Sequence, residues 1–209
     1  MVVARGRAEP LIVEVLMRSR RLELAGALAC ASLLHGCDGA PASAATTSAD
    51  DAPVLTDAQV ALVLLALNRG EVITAGAAEP NLRLPAVDGY ARRAIADHRA
   101  AAAREEALLA AAGITPQPSA LSDEVDARTL TETLVWVLQP PSRAYDLSYI
   151  CTEIGDDARA VPALDRLAVT VSNAELRAET LRAGELLAQH LSLAAAAISA
   201  QGGCLGGGP

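Results

Sequence analysis

Phenylalanine and lysine are missing from this chain of 209 residues, and tryptophan occurs once. Aromatic residues make up only 2%. Large rings therefore cannot fill the core, which must be built from Leu, Val and Ile over Ala. Such a core lets helices approach closely but buries less area per residue. All 17 basic residues are Arg, set against 25 acidic ones, for a formal charge of −8. No basic stripe is available to neutralise phosphates, which excludes nucleic acid as a partner. β-Branched and aromatic residues never form an alternating run, so a strand-based fold is not expected. What the chain has in excess is Ala and Leu, strong helix formers, within a composition that is 52% hydrophobic. The length suits one domain of ordinary size plus an export segment, and the expected class is all-α.

The first third carries targeting information. A basic "MRSRR" begins at Met17 and leads into "LAGALACASLL" at 24–34, an apolar run too short to cross a bilayer as an ordinary helix. Residues 1–36 read as a removable signal peptide, with Met17 as an alternative start. The run ends in Leu34-His35-Gly36-Cys37, which resembles a bacterial lipobox, although His35 is larger than that motif usually has. Cys37 is the expected lipidation site, and the lipid would hold the protein on a bacterial membrane facing the periplasm. Ordinary cleavage after Ala42-Ser43-Ala44 is the alternative and leaves a soluble periplasmic or secreted protein. Removing residues 1–36 takes away five Arg and three Glu, so −8 becomes −10, and attraction to anionic headgroups is not the anchor. Small, polar, Pro-containing residues 37–55 suit a tether, and residues 201–209 form a Gly-rich tail. Cys30 leaves with the signal. Cys151 and Cys204 then remain, either as a disulfide in an oxidising compartment or as two free thiols.

Between tether and tail, residues 56–200 form the folded domain. Thr56 and Asp57 open a helix that "EPNLRLP" breaks at 79–85, and a second runs from about 86 to 112 and stops at Gly113. A long connection, 114–144, holds a short helix from Asp123 to Leu138 capped by Ser122. A third long helix spans Tyr145 to Val169, with Pro162 expected to kink or split it, and a fourth spans Asn173 to Ser199. Two helical hairpins joined by one long connection is the plan of a four-helix bundle with a crossover.

Each long helix places one ligand-capable side chain on its apolar stripe. Glu71 follows Ala61, Leu64 and Asn68; His98 follows Ala94 and Ile95; Asp157 follows Ile150 and Ile154; His190 follows Ala183 and Leu187. Counted from the two hairpin turns, the acid and the imidazole of each hairpin are offset by the same four residues, roughly 6 Å along the axis. Isolated charges in such a core are costly. The four are either hydrogen-bonded acid–histidine pairs that fix helix register, or the ligands of one divalent ion such as Zn, Mn or Fe. No catalytic residue is assigned: no Gly-rich phosphate loop opens a helix, and Cys151 has no His near it in the pattern. Tyr145, Asp146 and Tyr149 read as a packing and capping cluster, and Arg92, Arg93, Arg99 and Arg104 as solvated. Protein or small-molecule partners leave no trace in the sequence.

"NRGEV" at 68–72, "ADHRAAAAREEALLAAAGITP" at 96–116, "AYDLSYI" at 144–150 and "AELRAETLRAGELLAQHLSLA" at 174–194 resemble the bacterial exported family called domain of unknown function 4142. The resemblance implies a ferritin-like helical bundle, often secreted or membrane-attached, with no established activity. It maps the family's typical residues onto Glu71, Asp97, His98, Tyr149 and His190. At Asp157 the family usually has a histidine, which weakens any site needing three imidazoles. Di-iron centres of ferritin-like proteins use Glu-x-x-His on two helices. Here Ile95 and Leu187 stand three residues before His98 and His190, which disfavours di-iron chemistry.

Overall fold

The protein is described by a computed structural model over residues 54–199 and Gln201. The signal region, Cys37, the tether up to residue 53 and Cys204 lie outside these residues. Among the described residues there are five α-helices and no strand: α1 Asp57–Ala78, α2 Pro85–Ala112, α3 Ala120–Leu138, α4 Arg143–Thr170 and α5 Ala174–Ser199. A single 3-10 turn, Glu79–Asn81, follows α1. The expected all-α class holds.

Each helix boundary has a local cause. Thr56 caps α1 in a reciprocal box with Gln59, and Pro85 starts α2 in the first-turn position where its missing N–H costs nothing. Gly113 ends α2 at φ 65°, a left-handed conformation that glycine adopts without a Cβ penalty. Ser142 caps α4, and the Asn173 side chain accepts from the backbone of Glu175 and Leu176 to start α5. Two expectations need correction. The cap of α3 is Ser119, and Ser122 sits one turn inside as the reciprocating partner, so the helix begins three residues early. Pro162 does not split α4, which continues through it to Thr170.

α1 pairs with α2, α4 pairs with α5, and α2 lies against α5 to join the two hairpins. α3, carried on the long connection, packs on α1. Two carboxylates clasp the hairpins reciprocally. Asp57, at the start of α1, accepts from the backbone N–H groups of Ser172 and Asn173 in the α4–α5 turn. Asp146, at the start of α4, accepts from those of Arg83 and Leu84 in the α1–α2 turn.

The apolar core falls into two halves. One contains Ala75, Val87, Ala91, Ile150 and Ala194; the other contains Val60, Leu64, Leu109, Leu164 and Leu187. All three Tyr and the lone Trp belong to the first half. Between the halves, α1, α2, α4 and α5 each switch from apolar to polar residues: Asn68, His98, Glu153, Asp157 and His190 are all buried there. α1 also has apolar length and composition enough to cross a membrane, but 61% of that stretch is buried inside the domain, the pattern of a core helix.

Gly70 marks the closest approach of α3 to α1: a Cβ there would lie 2.5 Å from Thr129 Oγ1. Gly70→Val is expected to lower stability in urea unfolding by about 1–3 kcal/mol through overpacking. Gly76, with nothing within 4 Å of an added Cβ, provides the control. Gly76→Ala should stabilise by up to about 1 kcal/mol from helix propensity. Equal effects at the two positions would contradict the packing described.

Candidate functional site

The helical repeat that buries Ala94 and Ala101 also turns His98 inward, and the repeat through Ala183, Leu187 and Ala194 does the same for His190. The two rings meet across the α2–α5 seam, edge to face, with centroids 4.9 Å apart and His98 Nε2 3.2 Å from His190 Nδ1. Both remaining ring nitrogens are engaged. His98 Nδ1 lies 2.7 Å from Asn68 Oδ1, and His190 Nε2 lies 3.2 Å from Asp97 Oδ2. Asn68 in turn donates from Nδ2 to Leu64 O at 3.1 Å and to Glu105 Oε1 at 2.7 Å. A continuous chain thus runs from buried Glu105 through Asn68, His98 and His190 to Asp97, which Arg93 holds at the surface.

The bonds of Asn68 fix the direction of this chain. Its amide nitrogen is committed to two acceptors, so its oxygen faces His98, and His98 Nδ1 carries the proton. Neutral His98 then accepts at Nε2, and His190 Nδ1 must donate. Two neutral imidazoles carry two ring protons for three contacts, so a third proton completes the chain and places positive charge against Asp97. Burial opposes that charge. It drives His98 down to about 3, with the neighbouring His190 acting in the same direction. Burial also lowers His190, against the upward pull of Asp97. Partial burial pushes Asp97 up, but bonds from Arg93 and His190 outweigh it and leave the carboxyl below its usual range. At the far end, burial lifts Glu105 to about 8, and the hydrogen bond from Asn68 only partly offsets this.

A second polar group lies beyond Tyr90, whose ring meets His190 edge to face and whose hydroxyl is 3.5 Å from Glu153 Oε2. Here Glu71 and Glu153 are within hydrogen-bonding reach, as are Glu132 and Asp156. Burial, reinforced by the Asp156 charge, raises Glu71 and Glu132 to about 7. Burial and the Glu71 charge raise Asp157 to about 8 and Glu153 well above the usual range. Asp156 accepts from Arg128 at 3.3 Å and pairs with Arg159.

The four residues singled out by periodicity therefore divide into two pairs. His98 and His190 bond directly to each other, while Glu71 and Asp157 join the acidic group. Among the described residues, no set of three or more His, Cys, Asp or Glu is arranged to hold a metal ion. Cys151 is disulfide-bonded, and Cys204, its expected partner, lies outside the described residues. Several participants escape a search for ligand types at single stripe positions. Glu105 sits seven residues after His98 on the same stripe, a spacing that could have revealed it. Glu153 precedes Asp157 by four, the same signal on α4. Asn68 is on the stripe of α1 but reads as a mere spacer until its two partners are known.

Residues 40–197 match the model of a family described as a domain of unknown function, DUF4142. The chain belongs to the DUF4142 family. No curated protein and no solved structure matches it. In this DUF4142 chain the resembling segments named above carry the imidazole chain and one member of the acidic group, Glu71. "NRGEV" supplies Asn68 and Glu71, "ADHRAAAAREE" supplies Asp97, His98 and Glu105, and "LAQH" supplies His190.

The buried carboxyls and the buried imidazole act on stability in opposite directions. Glu105, raised to about 8, holds its proton in the folded chain where the unfolded chain has lost it. Its contribution is therefore full below about pH 4.5 and is lost as pH rises through about 8. His98, lowered to about 3, contributes fully above about 6.5, and that contribution is lost as pH falls towards 3. The urea midpoint is expected to peak between about pH 4.5 and 6.5, and Glu105→Gln should reduce the alkaline fall. A midpoint that climbs steadily from about pH 5 to 9 contradicts this assignment.

Proposed function

We propose that this chain is a lipid-anchored envelope protein with a ferritin-like arrangement of two helical hairpins, acting as a binding or structural module, and that its histidines join helices. The single observation that carries this reading is that all four ring nitrogens of His98 and His190 face hydrogen-bonding partners inside the protein. Buried polar groups that pair with one another across helices give a packed core one register, which is a structural task. The lipobox-like Leu34-His35-Gly36-Cys37 and the polar tether support export and anchoring through Cys37. The disulfide at Cys151 suits an oxidising compartment, and pairing with Cys204 would tie the Gly-rich tail to α4.

The alternative, a single divalent ion held by Glu71, His98, Asp157 and His190, requires the imidazoles to release each other as well as Asn68 and Asp97. The geometry supports it less. His98→Ala separates the two readings. It leaves Asn68 Oδ1 and His190 Nδ1 without a partner, so a loss of about 1–3 kcal/mol is expected with metal content unchanged. Metal present in the wild type and absent from this variant would overturn the strut reading.

For the anchor, Cys37→Ser is expected to move the protein from the membrane fraction to the soluble fraction; unchanged partitioning contradicts lipidation. Thiol titration of the denatured protein should find two fewer groups before reduction than after it. Equal numbers would contradict the disulfide.

A further inference from the structure

α1 is enclosed by its neighbours except along one strip. Its exposed positions are Arg69, Ile73 and Gly76, spaced by four and three residues on one side of the helix. Ile73 is 51% exposed, whereas the other large apolar side chains of α1 are buried or half-buried. The strip borders a groove between α1 and α2, with Val72 and Ile73 on one side and Ala102 and Ala103 on the other. Small side chains on α2 leave that space open. Its volume is about 390 Å³, within the range of small-molecule sites.

Two guanidinium groups and one carboxylate border the groove, in a chain whose formal charge is −8. Arg69 and Glu106 pair across it at 2.8 Å, joining α1 to α2 and neutralising each other. Arg99 is left over. Of the twelve described Arg, ten hold a carboxylate or a backbone carbonyl. Arg99 and Arg166 hold neither among the described residues, and of these two Arg99 borders the groove. It stands seven residues before Glu106, two turns or roughly 10 Å along α2. A free guanidinium at one end of an apolar trough, with a closed ion pair at the other, complements a molecule with one anionic end and a short apolar body. Arg takes a carboxylate through two parallel N–H···O bonds.

Asn68 also borders the groove, although it is 1% exposed. Its amide is committed to Leu64, Glu105 and His98, so an occupant lies against the residue that fixes the tautomer of His98.

We propose that the α1–α2 groove is a binding site for a small amphipathic monocarboxylate, with Arg99 taking the carboxylate and Val72, Ile73 and the two alanines taking the apolar body. This rests on the binding-module side of the reading above and names its ligand class. It needs neither the lipid anchor nor the imidazole strut, so the failure of either leaves the groove to be judged by its own ligand.

Octanoate is the probe, titrated into the full chain carrying Cys37→Ser so that no detergent competes, and followed by calorimetry and by the side-chain amide signals of Asn68. One octanoate is expected to bind saturably with a dissociation constant of about 1 mM or below, and the Asn68 signals to move with the same midpoint. Arg99→Gln should weaken binding about five- to tenfold, and Ile73→Asp should abolish it. Both positions are exposed, so both variants keep the fold. Arg166→Gln, at the other unengaged guanidinium, should bind as its parent does. 1-Octanol, the same apolar body without the charge, should bind at least about fivefold more weakly. Absence of saturable octanoate binding overturns the proposal, as does parental affinity in both Arg99→Gln and Ile73→Asp. Octanol binding as tightly as octanoate, or saturation that leaves Asn68 unmoved, overturns it as well.

Discussion

The contact between His98 and His190 is the interaction on which the interior depends. It spans the seam between α2 and α5, where the two hairpins meet, and it is the midpoint of a hydrogen-bonded chain from Glu105 to Asp97. A single imidazole at this depth would leave a ring nitrogen without a partner, at a cost comparable to a large share of a small domain's stability. Two of them, one from each hairpin, satisfy each other only in one register of the hairpins. Asn68 extends the same condition to α1, because its amide must face Glu105 and Leu64 while its oxygen faces His98.

The rest of the fold is arranged so that this polar layer can exist. With few large rings, the helices approach over Ala at 91, 94, 101, 183 and 194, close enough for short-range contacts between side chains of facing helices. The chain's Trp and Tyr residues are gathered in one apolar half, where Trp136 packs edge to face on Tyr145 and Tyr149. Tyr90 reaches from that half to both polar groups, touching His190 with its ring and Glu153 with its hydroxyl. At the ends, Asp57 and Asp146 each hold the turn of the opposite hairpin, so the register chosen in the middle is repeated at both extremities.

Much of this was legible in the sequence, for identifiable reasons. The stripe Leu176, Thr180, Ala183, Leu187, His190, Ala194 and Ala197 is buried at every position, because α5 keeps a strict amphipathic period. α1 was less legible: it is buried nearly all round between α2 and α3, so periodicity could not say which neighbour Asn68 or Glu71 would meet. Inward direction is a property of one helix, whereas convergence depends on rotation and offset of four. That is why the sequence could turn His98, Asp157 and His190 inward and leave Glu71 half-buried beside them, but not divide the four into two groups. The start of α3 was missed because Ser119 and Ser122 are both competent caps, and only their mutual bonds decide between them.

The most direct test of the direct imidazole contact is the ¹⁵N chemical shift of the ring nitrogens of His98 and His190 in the full chain. His98 is expected to be protonated at Nδ1 and bare at Nε2 near neutral pH, a tautomer fixed by Asn68, with the shifts of His190 changing when Asn68 is replaced by Asp. Two rings that titrate independently near pH 6.5, as solvated imidazoles do, would contradict it.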